Sequence, residues 1–274
     1  EMITVSSLEK IFPLSEIKLT LTEATMLKDE RFSFQVAVRP RERVLGASLE
    51  IIGDETNFCR VRRVDLAPAY QTELEKTEGT IGEAATLYPE ILADDDCRDI
   101  ALRGGMWTAF WITAEMLSVG EHAFTFCLRD AENEVIATAC FCLTVLPQSL
   151  SSQRVSYSNW MHYDCISNYY NKKPFTPGYY KILGKFLDNA LSHGVTLLYT
   201  PLFTPPLDTQ IGGERRTVQL VEVTEKDGKY SFNWDKLKRF VNFARRRGFE
   251  CFEFSHFFSQ WGAQCAPKIV DIDG

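Results

Sequence analysis

Three short segments in the second half of the chain concentrate side chains suited to polar chemistry. They are Ser158-Asn159-Trp160-Met161-His162-Tyr163-Asp164, Thr200-Pro201-Leu202-Phe203-Thr204-Pro205-Pro206-Leu207-Asp208-Thr209 and Ser255-His256-Phe257-Phe258-Ser259-Gln260-Trp261-Gly262. Each follows a run read as a β-strand, and in parallel α/β units the ends of strands carry the chemistry. Flat aromatic faces beside amide, hydroxyl, imidazole and carboxylate groups suit a sugar ring, which has apolar C–H faces and a girdle of hydroxyls. The substrate-binding candidates are therefore Asn159, Trp160, His162, Asp164, Asp208, His256 and Trp261. Plainer roles stand beside these: Trp160 and Trp261 as rim packing, and His162 and His256 as imidazoles satisfied by neighbouring carbonyls.

Other chemistries find less support. His162-x-Asp164 with His256 has the composition of a two-histidine, one-carboxylate metal site, but nothing in the spacing makes the three converge, and no metal or cofactor is expected. Asp94-Asp95-Asp96 resembles a calcium-ligating run, with a solvated loop as its plainer reading. There is no GxSxG elbow for a serine nucleophile. Gly212-Gly213 lacks the spacing of a phosphate cradle. Hydrolysis of a glycosidic bond calls for a close pair of carboxylates. The second half offers Asp164, Asp208, Glu214 and Glu253 near strand ends, with no adjacent pair, so no catalytic residue is assigned.

The elements that must position these residues change character near residue 150. Before it, period-two segments dominate: Ile17 to Leu21, Arg31 to Val38, Ala47 to Ile52, Phe58 to Val64, Met106 to Thr113, Gly120 to Leu128 and Val135 to Leu146. Seven strands without a convincing helix predict an antiparallel β-sandwich over residues 1–148. A Pro- and Ser-containing stretch, Leu146 to Ser152, places a linker at 149–152.

From 153 to 274 strands and helices alternate. Arg154 to Trp160 reads as a strand; Thr176-Pro177 supplies an N-cap and a first helical proline, and apolar residues then recur at helical spacing until Gly194. Val195 to Pro201 is an apolar run of strand length. A hairpin is expected through Asp227-Gly228, between Thr217 to Val223 and Lys229 to Phe232. A second helix runs from Trp234 to about Gly248, and Phe249 to Phe254 forms a third strand. This order matches the first three β-α units of a (β/α)8 barrel or the start of a doubly wound sheet.

Composition narrows the partners. The 274 residues, 45% hydrophobic and 24% charged, are globular in character. A net charge of -7 argues against a nucleic-acid surface, and the basic run Lys236, Lys238, Arg245, Arg246 and Arg247 reads as a solvated helix face. No apolar run reaches the ~18 residues needed to span a bilayer, and Glu1 to Phe12 lacks the layout of a secretory signal. A cytoplasmic location is expected, with a mature secreted form as the alternative. Eight cysteines without a CxxC, most of them in apolar runs, behave as small hydrophobes.

At SNWMHYDCISNYY, GVTLLYTPLFTPPLDTQIGGERRTVQLVEV and FEFSHFFSQWGAQCAPKI the sequence resembles a bacterial group related to glycoside hydrolase family 123, which contains β-N-acetylgalactosaminidases. The resemblance implies a β-sandwich followed by a (β/α)8 barrel. It implies a retaining, substrate-assisted mechanism in which the sugar's 2-acetamido carbonyl attacks its own anomeric carbon. An adjacent Asp-Glu pair would orient the acetamido group and protonate the leaving oxygen. That pair is expected at the end of the fourth barrel strand, beyond Gly274. A whole barrel needs about 250 residues, roughly twice the length of chain after the linker. The 274 residues are thus expected to be inactive alone, with the open side of the half-barrel covered by a second copy or another chain. A non-catalytic carbohydrate-binding protein and a structural or interaction module are the alternatives.

Overall fold

The computed structural model describes residues 1–69, 86–93, 97–150, 155–204, 215–258, 266 and 268–272. The chain divides into two compact units, Glu1–Ser151 and Ser152–Gly274.

The described residues of the first unit form ten strands: β1 (Met2–Ser6), β2 (Glu23–Lys28), β3 (Phe32–Val38), β4 (Val44–Ile52), β5 (Cys59–Ala69), β6 (Thr86–Ala93), β7 (Ile100–Leu102), β8 (Thr108–Ala114), β9 (Gly120–Arg129) and β10 (Val135–Ser149). They form two five-stranded sheets, ordered β1-β3-β8-β5-β6 and β2-β10-β9-β4-β7. Alternation explains why the sheets close on each other. Phe34, Val36 and Val38 from β3 and Phe110 and Ile112 from β8 share one core with Phe124, Phe126 and Leu128 from β9 and Phe141, Leu143 and Val145 from β10. The Phe34 ring stacks on Phe141 at 3.9 Å and meets Phe126 edge-on at 5.8 Å, tying the two sheets together.

The opposite face of β3 is also covered. Ala37, Val5 and Ala109 pack with Ile11 and Trp107. Gln35 is buried there, and its amide donates to the carbonyls of Ser6 and Glu9 at 3.0 and 2.8 Å. Polar groups in such a position need internal partners, and these bonds supply them.

Four sequence expectations change in this unit. Ile17 to Leu21 forms no strand; the chain enters the ladder only at Glu23. The strands β1, β2, β6 and β7 were not anticipated. The sheets are not wholly antiparallel, because β2 pairs with β10 in parallel from Glu23↔Cys142 to Leu27↔Leu146. Finally, Leu146 to Ser149 belongs to β10 and not to a linker. Pro147 is accommodated because β9 ends its pairing at Val145 and the β2 register shifts between Leu146 and Ser149, so no ladder bond is demanded of the proline.

The second unit contains α1 (Tyr163–Tyr169), α2 (Pro177–Ser192), β11 (Leu197–Thr200), β12 (Glu222–Lys226), β13 (Lys229–Asn233), α3 (Asp235–Arg245) and β14 (Cys251–Phe254). The strands β11 and β14 run parallel, with Leu197↔Cys251 through Thr200↔Phe254 in register. α2 begins as expected: the Thr176 hydroxyl accepts from Tyr179 N at 3.4 Å, and Pro177 occupies the first turn. Gly194, at φ +83°, supplies the left-handed residue after its end. The hairpin β12-β13 turns through Asp227 and Gly228, both at positive φ, as a two-residue turn of this kind requires.

The expected strand from Arg154 to Trp160 is reduced to one parallel bridge, Ser158↔Leu197, with the Tyr157 carbonyl accepting from Thr196 N and Leu197 N. Residue 154 lies outside the described residues. Residues 217–221 form no strand; buried Gln219 instead bonds the carbonyls of Val221 and Val270 and the amide of Val270 through its side chain. The core of this unit joins Tyr163, Tyr179, Leu183 and Leu187 to Leu198, Tyr199, Phe240 and Phe249.

Candidate functional site

Register places Tyr199 of β11 beside Glu253 of β14, while the bridge to Leu197 sets Ser158 on the other side of β11. Side chains from β11, from β14 and the residues after it, and from the stretch at Ser158 meet. One oxygen of Glu253, Oε2, accepts from Ser158 Oγ at 2.9 Å and from the Trp160 indole N–H at 3.1 Å. The bond from its own N–H orients the indole, whose ring lies 5.3 Å from the Tyr199 ring and 5.8 Å from the His256 imidazole, nearly parallel to the latter at 28°. Trp160 is 44% exposed, while Tyr199 is fully buried.

Two buried polar atoms at this cluster, Tyr199 Oη and His256 Nε2, have no hydrogen-bond partner among the described residues. Burial, and secondarily the charge of Glu253, push the Tyr199 phenol up to about 12. The phenol therefore remains a neutral donor across the physiological range. Below the cluster, the Tyr163 hydroxyl donates to the Tyr199 carbonyl at 2.6 Å, and Ser255 Oγ accepts from Leu202 N at 3.0 Å. These bonds fix the backbone just where the parallel strands end.

The other sequence candidates fall elsewhere. Asn159, Trp160 and His162 line an open depression of about 600 Å³, walled also by Tyr169, Tyr170 and Phe186. Asp164 lies in the first turn of α1, a helix that sequence reading missed because its seven residues span only two turns and its N-cap, His162, makes no side-chain cap bond. Asp164 is 6% exposed, and its carboxylate grips Arg215 bidentately, Nε to Oδ2 at 2.9 Å and Nη2 to Oδ1 at 3.1 Å. Arg215 Nη2 also reaches Cys165 Sγ at 3.1 Å. Such a fork positions a segment and leaves Asp164 little capacity for a further ligand.

Among the described residues no group of three His, Cys, Asp or Glu could hold a metal ion, so His162, Asp164 and His256 do not assemble as one; Asp164 faces Arg215 instead. Asp208, Trp261 and the Asp94-Asp95-Asp96 run lie outside the described residues. Tyr199 escaped sequence analysis because it sits inside an apolar run, where a tyrosine reads as core. Glu253 was visible only as an isolated carboxylate. The available signal was its place one residue before the end of β14.

Among the described residues, no helix is long and apolar enough to cross a membrane. Residues 160–274 match the family described as glycoside hydrolase 123, catalytic domain. No curated protein matches the chain. Among solved structures, a family 123 glycoside hydrolase from Clostridium perfringens, studied for glycolipid glycan hydrolysis, aligns with a TM-score of 0.68 at 12% identity. The alignment covers 94% of this chain and 48% of that one, so the chain spans about half the length of that enzyme. The MSP-domain-like protein SSP-19 of Caenorhabditis elegans aligns at 8% identity over 46% of this chain and 92% of its own, with a TM-score of 0.25. The SrpA adhesin of Streptococcus sanguinis aligns at 8% identity over 79% and 87%, with a TM-score of 0.26. Neither of these two values carries a fold relationship. Through residues 160–274 the chain is related to glycoside hydrolase family 123, and the structural alignment shows a likeness of fold.

Proposed function

We propose that residues 153–274 are the opening β-α units of a (β/α)8 barrel. They would form part of the sugar-binding face of a glycoside hydrolase acting on glycans that contain N-acetylhexosamine. The observation that carries this reading is the cluster of Ser158, Trp160, Tyr199, Glu253 and His256 at the ends of parallel strands, of which all but Ser158 fall in the segment matched by the catalytic-domain family. An anchored aromatic face beside hydrogen-bonding groups is what a pyranose ring needs, and strand ends are where barrels place their ligands. The reaction would be retaining and substrate-assisted, with the acetamido-orienting carboxylate and the general acid supplied by an adjacent pair outside these 274 residues. Asn159, His162, Asp208 and Trp261 complete the proposed binding set. A cytoplasmic setting belongs to the same reading, as does a second copy covering the open side of the parallel sheet.

A second reading, recognition without hydrolysis, is favoured by one observation. In the described cluster Glu253 is the only carboxylate, and it is held by two donors. The test is release of a chromogenic aglycone from an N-acetylgalactosaminide, assayed with these 274 residues and with the protein extended past Gly274. Turnover only by the extended protein is expected. Sugar binding without turnover by either would move the assignment to recognition, and neither binding nor turnover would overturn both readings. Light scattering at micromolar concentration checks self-association, and a monomer would remove the second copy from the account.

A further inference from the structure

A second cavity of the C-terminal unit, about 290 Å³, lies between the turn at Phe175, residues 216–222, the first turn of α3 and residues 270–272. It shares no lining residue with the cluster around Trp160, and its volume suits one ring with a substituent. Its back wall is held firmly. Buried Gln219 spends its amide on the carbonyls of Val221 and Val270 and its own carbonyl on Val270 N. Three cations line the space, Lys173, Arg216 and Lys236, against two carboxylates, Glu222 and Asp271. The carboxylates are engaged: Glu222 pairs with Lys236 at 2.8 Å, and Asp271 accepts from Glu225 N at 3.2 Å. Arg216 makes only a long bond, Nη1 to Asn168 Oδ1 at 3.4 Å, and the Lys173 ammonium has no partner among the described residues. One positive charge is thus left over locally in a chain whose net charge is -7. Thr217 adds a donor. Its Oγ1 accepts from the Thr204 hydroxyl at 2.8 Å and from Gln219 N at 3.3 Å, so its own proton is left for whatever enters the cavity.

We propose that this cavity binds a singly charged acidic substituent, a carboxylate or a sulfate ester, carried on a sugar ring. The sugar rests on the glycan-binding reading above, which the proposal deepens by making the glycan an acidic one; the charge is read from this cavity alone. A monoanion balances the excess of one, whereas a phosphate monoester overshoots it and a neutral group leaves it standing. Lys173 and Arg216 take the anionic oxygens, and the Thr217 hydroxyl donates to a third acceptor. The apolar side of the ring lies along Pro174, Val270 and Ile272, the last of which is 58% exposed.

The experiment titrates a sulfated N-acetylgalactosamine, glucuronic acid and neutral N-acetylgalactosamine calorimetrically into the 274-residue protein, Lys173→Gln and Arg216→Gln. Both side chains are exposed, so the variants should keep the melting temperature of the wild type. An acidic probe should bind the wild type more tightly than the neutral sugar. Its affinity should fall about five- to tenfold in each variant, and also as sodium chloride is raised from about 50 to about 500 mM. Binding of the neutral sugar should be the same in all three proteins. Which acidic probe binds identifies the substituent. Acidic probes bound no better than the neutral sugar, or equally well by the wild type and both variants, would overturn the acidic site and leave the glycan reading standing. No binding of any of the three sugars would overturn both.

Discussion

In the N-terminal unit the buried donors of Gln35, Trp107 and His122 all reach backbone carbonyls: Ser6 and Glu9 for Gln35, Ser15 for Trp107 at 3.0 Å and Ser118 for His122 at 2.8 Å. In the C-terminal unit Tyr180 Oη, Tyr199 Oη and His256 Nε2 are buried without such partners among the described residues. Strand length differs in parallel: β10 runs for 15 residues and β11 for four. Long ladders leave little backbone over and suit a scaffold. Short parallel strands end in loops whose polar groups are held but not saturated, and such places accept ligands. The two units thus differ in how long their strand ladders run.

Alkaline titration is the broadest way to break the comparison. In the C-terminal unit burial raises the phenols of Tyr163, Tyr179, Tyr180 and Tyr199, that of Tyr199 to about 12 from 10.0. In the N-terminal unit burial raises the Cys59 thiol to about 11 from 9.0. Above the unfolded value the unfolded state binds fewer protons than the folded one, so stability falls as pH rises. For Tyr199 the contribution is whole below pH 10 and is lost as the pH climbs through about 12. The C-terminal unit should therefore unfold first, completely and with a rise in tyrosinate absorbance; simultaneous loss of both units would contradict the contrast.

Phe34→Ala attacks the scaffold directly. Removing a ring that stacks on Phe141 and abuts Phe126 should cost about 3–5 kcal/mol in denaturant unfolding of the first unit. A cost below about 1 kcal/mol would mean that the two sheets are held elsewhere. Asp164→Ala should cost the second unit about 3 kcal/mol, because it leaves the Arg215 guanidinium, 15% exposed, without its carboxylate. The double variant Asp164→Leu, Arg215→Met should recover most of that loss, which urea titration of the three proteins would show. The smallest effect is expected at the α2 cap, where Thr176→Ala removes a long 3.4 Å bond and should cost about 0.5–1 kcal/mol by thermal melting.

Several elements were legible in the sequence because their causes are local. Thr176-Pro177 and the apolar repeat behind it specify α2 through capping and periodicity. Asp227-Gly228 specifies its hairpin because two adjacent positive φ angles are tolerated there. The strands β3, β9 and β10 announce themselves by alternation. Residues 1–6 and 100–102 carried too short a pattern to be read as strands, yet both pair once neighbours are present.

The site was legible only in outline. Trp160 and His256 could be picked out by type and by their place after strands, and the structure brings them together. Asp164 looked like a ligand, since sequence shows a carboxylate but not the Arg215 that occupies it from 51 residues away. Tyr199 and Glu253 could be joined only by the β11-β14 register, which depends on backbone bonds across 54 positions of chain. Periodicity, capping and turn chemistry act within a few residues and are written in the order of side chains. Which strand lies beside which, the parallel pairing of β2 with β10, and the partners of a buried carboxylate or phenol follow from long-range packing, so the tertiary structure alone decided them.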